Sequence, residues 1–189
     1  MKRTLAFAAS LLLLGACSSD GYTIRGKIAG LDNPYVYLLR YTGEVEVIDS
    51  AKVTKGDFVF KGKAEQPEVV YLSTDKQQPF VHFFLENGRI SVDGALSAPA
   101  DIAVLGTPSN DIQRAFDEKI AALEEEFAKA GNDVQRDSLR KEYSKLMSDA
   151  VEMNRDNIYG VTTFLNNAYA FLSPEEVMEK IALFPAEWQ

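Results

Sequence analysis

The strongest constraint on the fold is a change of hydrophobic period near Gly106. Before it, apolar residues alternate with polar ones and turns carry Gly, Asn or Pro. After it, apolar residues recur at spacings of three and four behind helix-capping residues. Alternation marks a strand with one buried face, and the three-four spacing marks a helix with one buried stripe. The chain is therefore predicted to be α+β: a small antiparallel β-sandwich or barrel over residues 22–106, then a helical segment of about four helices over residues 107–189.

Within the first part, Tyr22, Ile24 and Ile28 alternate with Thr23, Arg25 and Lys27. Leu31-Asp32-Asn33-Pro34 breaks that run before an aromatic-rich strand over 35–41. Further strands are expected over 45–53, over 57–61 after the Lys55-Gly56 turn, and over 68–73 after Pro67. The clearest hairpin signal is residues 81–92, where Asn87-Gly88 supplies the two left-handed positions of a type I′ turn. That turn pairs His82 with Asp93, Phe84 with Ser91 and Leu85 with Ile90. It puts Val81, Phe83, Leu85, Ile90 and Val92 on the core face, and His82, Phe84, Ser91 and Asp93 on the other.

In the second part, Thr107-Pro108-Ser109-Asn110 offers N-cap residues ahead of the stripe Ile112, Phe116, Ile120, Leu123 and Phe127. Gly131 stands just past the expected helix end. Leu139, Tyr143, Leu146, Ala150 and Met153 form a second stripe, and residues 161–172 a third helix. Ser173-Pro174-Glu175-Glu176 is a capping box with Pro at the first position of a short fourth helix. Helices this short must bury against one another or against the sheet. The last two, with Phe171, Phe184 and Trp188, are expected to leave more apolar surface exposed than the hairpin core does.

Upstream of the strands, Lys2 and Arg3 form a basic start, residues 5–14 an apolar run, and Gly15 and Ala16 the small residues that a signal peptidase needs. The run is far shorter than the ~20 apolar residues of a spanning helix. Leu14-Gly15-Ala16-Cys17 resembles a lipobox, the motif of bacterial lipoprotein signals. The resemblance implies lipidation on the sulfur of Cys17, cleavage just before it, and acylation of the new amine. Residues 1–16 are then a signal peptide and residues 17–21 a short tether. Several acyl chains, at about 0.8 kcal/mol per buried methylene, give stable anchoring. Ser18 behind the cysteine agrees with the outer rather than the inner membrane, and the side on which the module lies stays open.

Charge and residue types narrow the chemistry. Loss of residues 1–16 removes two of the 20 basic side chains and none of the 28 acidic ones. So acidic a chain gains nothing from phosphate backbones, and nucleic acid is not an expected partner. Cys17 is the one cysteine, and once acylated it leaves no disulfide, thiolate nucleophile or CxxC pair. His82 is the one histidine, too few nitrogen and sulfur ligands for a zinc site. Glu124-Glu125-Glu126 reads as a solvated helix face, and there is no glycine-rich phosphate loop, so neither metal nor cofactor is expected. With Asp93 and Ser91 on its face, His82 imitates a Ser-His-Asp set. A hydrolase also needs a nucleophile elbow and oxyanion donors, and G-x-S-x-G is absent, so no catalytic residue is assigned. Phe84 is the outlier of the polar face. It either meets a second layer, such as the helices, or marks a binding surface with His82 and Asp93.

Ile48-Asp49-Ser50-Ala51-Lys52-Val53 followed by Lys55-Gly56-Asp57-Phe58-Val59-Phe60-Lys61-Gly62 resembles a recurring block of an uncharacterised domain family, DUF4369. Phe83-Phe84-Leu85-Glu86-Asn87-Gly88 with Ile90 and Val92, and then Leu105-Gly106-Thr107-Pro108-Ser109-Asn110, are similar to its later blocks. Ile24-Arg25-Gly26-Lys27-Ile28 is similar to its first strand. The likeness covers roughly residues 22–128. It implies a β-rich module that typically precedes a thioredoxin-like thiol:disulfide oxidoreductase domain in lipoproteins. This sequence ends at Gln189, where such a domain would begin, so redox activity is not carried over. The expectation is a non-catalytic, membrane-anchored binding or accessory module of the cell envelope, with the membrane as one partner and an envelope protein as another. The alternative is the N-terminal fragment of an oxidoreductase without its CxxC domain.

Overall fold

Alternating burial builds the strands. In β1 (Tyr22–Ala29), Tyr22, Ile24, Gly26 and Ile28 face inward while Arg25, Lys27 and Ala29 reach solvent. β2 (Tyr35–Tyr41), β3 (Val45–Lys52), β4 (Asp57–Gly62), β5 (Glu68–Ser73), β6 (Pro79–Leu85), β7 (Gly88–Ala95) and β8 (Ala103–Leu105) follow. The structure is a computed structural model that describes residues 20–171 and 173–188. Cys17 and the expected signal segment lie outside the described residues, as does the side chain of Phe171.

The strands form two four-stranded sheets, ordered β4-β1-β7-β8 and β3-β2-β5-β6. The second sheet is antiparallel throughout, and in the first β1 and β7 run parallel. Ile24, Ile28, Phe58, Phe60, Ile90 and Val92 of the first sheet meet Val36, Leu38, Val70, Leu72, Phe83 and Leu85 of the second in one core. The β-sandwich expected from the sequence is thus present, and the helices after it complete the α+β architecture.

The predicted hairpin over residues 81–92 does not form. β6 and β7 belong to opposite sheets, so Val81, Phe83 and Leu85 face Ile90 and Val92 across the core instead of beside them. His82 pairs with Tyr71 on β5, and Asp93 pairs with Lys27 on β1 and Ala103 on β8. Asn87 keeps a negative φ, so the turn lacks one of the two left-handed residues that type I′ demands. Its side chain is engaged elsewhere: Oδ1 accepts from the Ala64 N–H at 2.9 Å and Nδ2 donates to the Ala64 carbonyl at 2.8 Å. The type I′ signal is met at Lys55-Gly56, with φ of 54° and 83°. There Thr54 and Asp57 exchange both backbone hydrogen bonds, at 2.9 and 3.1 Å. A Cβ on Gly56 would stand 2.3 Å from the Ile28 carbonyl oxygen, so the position admits only glycine.

The helices are α1 (Pro108–Lys129), α2 (Asp133–Met153), α3 (Ile158–Phe171) and α4 (Pro174–Ile181). The Ser173/Glu176 capping box is present in both directions. Gly131 follows the Ala130 cap without a positive φ, and its N–H donates to Gln135 Oε1 at 2.8 Å. Phe184 is not exposed as expected, and Trp188 is only partly so. Phe184 is 5% exposed and packs with Val151 and Phe164, and half-buried Trp188, Val177 and Ile181 close over that cluster. The short 3-10 turn at Ala186–Trp188 folds the chain end back onto α3. The last two helices and the turn after them still leave more apolar surface open than the core of β6 and β7, at Leu165, Met178 and Leu183, and α1 and α2 add Phe127, Val134 and Met153.

Candidate functional site

The site begins where α1 meets the edge of the second sheet. β6 is the outermost strand there, and at Phe84 its backbone groups point away from β5. The Asn110 side chain fills that position as a neighbouring strand would. Its Oδ1 accepts from the Phe84 N–H at 2.9 Å, and its Nδ2 donates to the Phe84 carbonyl at 2.8 Å and to Thr107 Oγ1 at 2.7 Å. One residue earlier on α1, Ser109 donates from Oγ and from its backbone N–H to the Glu86 carboxylate, at 2.7 and 3.1 Å. Thr107 stands at the N-cap but makes no side-chain capping bond, because its hydroxyl serves Asn110. The Asp111 carboxylate accepts the Gly106 N–H at 2.7 Å. These bonds fix where α1 leaves the sandwich and lay it across the outer face of the second sheet.

Phe84 resolves as the meeting point of the layers. It is 4% exposed and packs with Val69, Ile112, Phe116, Ala150 and Tyr159. Its ring and that of Phe116 stand edge-on to Tyr159, at 6.1 and 6.0 Å between centroids. α1 and α3 thereby straddle β5 and β6 and leave a cleft of about 500 Å³ between sheet and helices. Val69, Tyr71, His82 and Phe84 form its sheet side. Gln113, Phe116 and Asp117 come from α1, and Tyr159, Thr162, Thr163, Leu165, Asn166 and Asn167 from α3.

The polar groups differ in state. Asp117 sits at the rim, where partial burial pushes its carboxyl above the usual carboxylate range. The nearby His82 and Arg114 charges, and a hydrogen bond from Gln113, pull it back. Tyr159 is 3% exposed, and burial raises its phenol, with Thr163 opposing and the Asp117 charge adding. No described protein group completes a well-formed hydrogen bond to the Tyr159 hydroxyl, although Thr163, one turn along α3, is close enough to influence it. His82 is exposed, and its ring lies 6.0 Å from that of Tyr71 at a tilt of 41°. Tyr71 in turn meets Tyr41 edge-on at 4.7 Å.

Of the residues marked by the sequence, His82 and Phe84 come together in the cleft. Asp93 does not join them: it lies on β7 in the other sheet, exposed. The Ser-His-Asp imitation falls with the hairpin that carried it. No group of three or more His, Cys, Asp or Glu side chains among the described residues is placed to hold a metal ion. No described helix is long and apolar enough to cross a membrane. Sequence reasoning missed Tyr71, Asp117, Tyr159, Asn166 and Asn167, which carry no motif and meet only through the docking of α1 and α3. The role of Asn110 was also missed, although its place in the Thr107-Asn110 block was visible. No curated protein matches this chain. Residues 22–113 match the family described as "Domain of unknown function (DUF4369)", and they run from β1 through Ser109 and Asn110, which clamp α1 to Glu86 and Phe84, into the first turns of α1. The sandwich and the start of α1 are thus the part of the chain that matches the DUF4369 family.

Proposed function

We propose that this chain is a lipoprotein of the cell envelope, tethered through Cys17, whose folded part is a non-catalytic module that binds a ligand or a partner. The observation that carries the reading is the makeup of the cleft. Its lining offers rings, amides, hydroxyls, one histidine and one carboxylate, which are groups that hold and orient a ligand. The histidine's ring neighbour is a tyrosine, not a serine or cysteine nucleophile paired with a base. The basic start, the apolar run and the lipobox-like Leu14–Cys17 segment support the anchor. β1 begins only five residues after Cys17, and an extended chain spans at most ~3.6 Å per residue. Tethered there, the sandwich stands close to the lipid surface, with the outer membrane favoured by Ser18.

Cell fractionation with mass spectrometry of the N-terminal peptide tests the anchor. The wild-type chain is expected in the membrane fraction with a diacylglyceryl and acyl-modified Cys17, and Cys17→Ser is expected in the soluble fraction. An unmodified Cys17 on a soluble wild-type protein refutes it. A second reading makes the chain the N-terminal part of a thiol:disulfide oxidoreductase. It is favoured by the apolar trough between α1 and α2, lined by Leu123, Phe127, Leu139 and Tyr143, a surface that a neighbouring domain would cover. Reading on past the codon for Gln189 separates the two, since this reading requires an in-frame continuation with a CxxC motif.

A further inference from the structure

We propose that the cleft between the second sheet and helices α1 and α3 binds a neutral saccharide, stacked on Tyr71 and His82 and hydrogen-bonded by Gln113, Asp117, Asn166 and Asn167. The inference rests on reading the folded part as a binding module, and it names the ligand class. A sugar ring is apolar on its C–H face and polar around its rim. A site for it needs a flat ring held in place beneath, and side chains beside it that both donate and accept.

The cleft supplies both. Tyr71 is held edge-on by Tyr41 at 4.7 Å and flanked by the exposed His82 ring at 6.0 Å, which makes an aromatic ledge on the outer face of β5 and β6. Above it stand the amides of Gln113, Asn166 and Asn167 and the accepting Asp117. Gln113 already bonds Asp117, and Asn167 Nδ2 donates to the Thr163 carbonyl at 2.8 Å, which leaves the Asn167 oxygen, the Asn166 amide and the rest of the Gln113 amide to a ligand. Asp117 stands exposed at the rim of the cleft beside Gln113, where its carboxylate can accept from the hydroxyls of a ligand.

Other ligand classes fit less well. The lining holds no Lys or Arg, and the adjacent Arg114 is engaged with Glu118 at 3.0 Å, so a phosphate or carboxylate would find only His82, set against Asp117. An apolar ligand would strip water from the amides and the carboxylate without replacing it. An extended peptide added as a strand needs the open edge of β6, and Asn110 already occupies that edge at Phe84. The volume of about 500 Å³ lies within the range of small-molecule sites.

Titration calorimetry on the full-length protein in detergent, with maltohexaose, cellohexaose and chitohexaose as neutral probes, tests the assignment. Inorganic phosphate and an Ala-Tyr-Ala tripeptide serve as comparison probes. At least one neutral oligosaccharide is expected to bind with a Kd of about 1 mM or tighter. Tyr71→Ala and Asp117→Ala should each weaken it by about tenfold while unfolding as cooperatively as wild type, and Tyr71→Phe should retain it. Binding of the tripeptide or of phosphate alone, lost in Tyr71→Ala, overturns the saccharide and leaves the binding module standing. Silence toward every probe overturns both.

Discussion

Replacing Asn110 with alanine should unseat α1 from the sandwich at a cost calculable from three hydrogen bonds. Asn110 is 2% exposed, and its amide is the partner of both the Phe84 N–H and the Phe84 carbonyl. Truncation leaves those two buried backbone groups unpaired, and each such group costs about 1–3 kcal/mol. The loss of the bond to Thr107 Oγ1 is smaller, because Thr107 only accepts in it and keeps its own O–H free to donate. Neighbouring losses do not add in full, so about 3 kcal/mol is expected. For a chain of this length that corresponds to roughly 6–12 °C in Tm. Urea denaturation followed by circular dichroism gives the free energy, and hydrogen exchange at the Phe84 amide gives the local effect, which should be loss of protection there before the core strands open. Asn110→Asp is the sharper control. It keeps the acceptor for the N–H but sets a carboxylate against the Phe84 carbonyl, so it should be no better than alanine. An Asn110→Ala variant within about 1 kcal/mol of wild type, with Phe84 still protected, would refute the clamp.

Tyr159→Phe should stabilise the protein by about 1 kcal/mol, because it removes a buried hydroxyl without a good partner and keeps the ring between Phe84 and Phe116. A rise in the urea midpoint at unchanged slope is the readout, and a destabilised variant would show that the hydroxyl is well bonded. The same group sets an alkaline limit. Its phenol is raised above the unfolded value of 10.0, so the unfolded chain ionises first and stability falls as pH rises through about 10. That slope should flatten in Tyr159→Phe. Asn87→Ala should cost about 1–2 kcal/mol by freeing the Ala64 N–H and carbonyl, measured by the same denaturation.

Alternation of apolar residues foretold every long strand because it reports which face is buried. It does not report which strand lies alongside. Val81–Leu85 and Ile90–Val92 satisfy the same pattern whether they are neighbours in one sheet or opposed across a sandwich, and the sequence-based hairpin rested on the turn dipeptide alone. Asn87-Gly88 misled because asparagine has a second use, its side-chain amide standing in for a strand at Ala64. The helices were legible from their stripes and caps, and the Ser173/Glu176 box is a local signal that local geometry honours. Phe184 was misjudged because the 3-10 turn that returns the chain end to α3 has no periodicity to read. For the cleft, an aromatic out of place on a polar face identified Phe84. Asp117 and Asn166 were invisible because exposed polar residues on helices are ordinary until another element faces them.

The blocks that carry the family resemblance meet in space. Glu86 and Phe84 from one block hold Ser109 and Asn110 from another, and Phe58 of a third lies against Gly26 of the first strand so closely that a Cβ there would stand 1.9 Å from the ring. None of these contacts offers a reacting group. The blocks encode the closure of the sandwich and the angle at which α1 departs from it, which are requirements of position rather than of chemistry. The cleft divides along the same line. Its floor, from Val69 to Phe84, lies inside the segment that matches the family, and that match ends at residue 113, ahead of Asp117, Tyr159, Asn166 and Asn167. A scaffold that fixes the floor and the first helix turns, while leaving the walls to the helical residues beyond them, can present different ligand sites without changing its core. Under the binding-module proposal, selectivity among ligands would reside in α1 beyond its first turns and in α3. Exchanging the sandwich strands for those of another DUF4369 domain should therefore preserve the proposed binding only if Tyr71 and His82, the two ledge residues, are carried along.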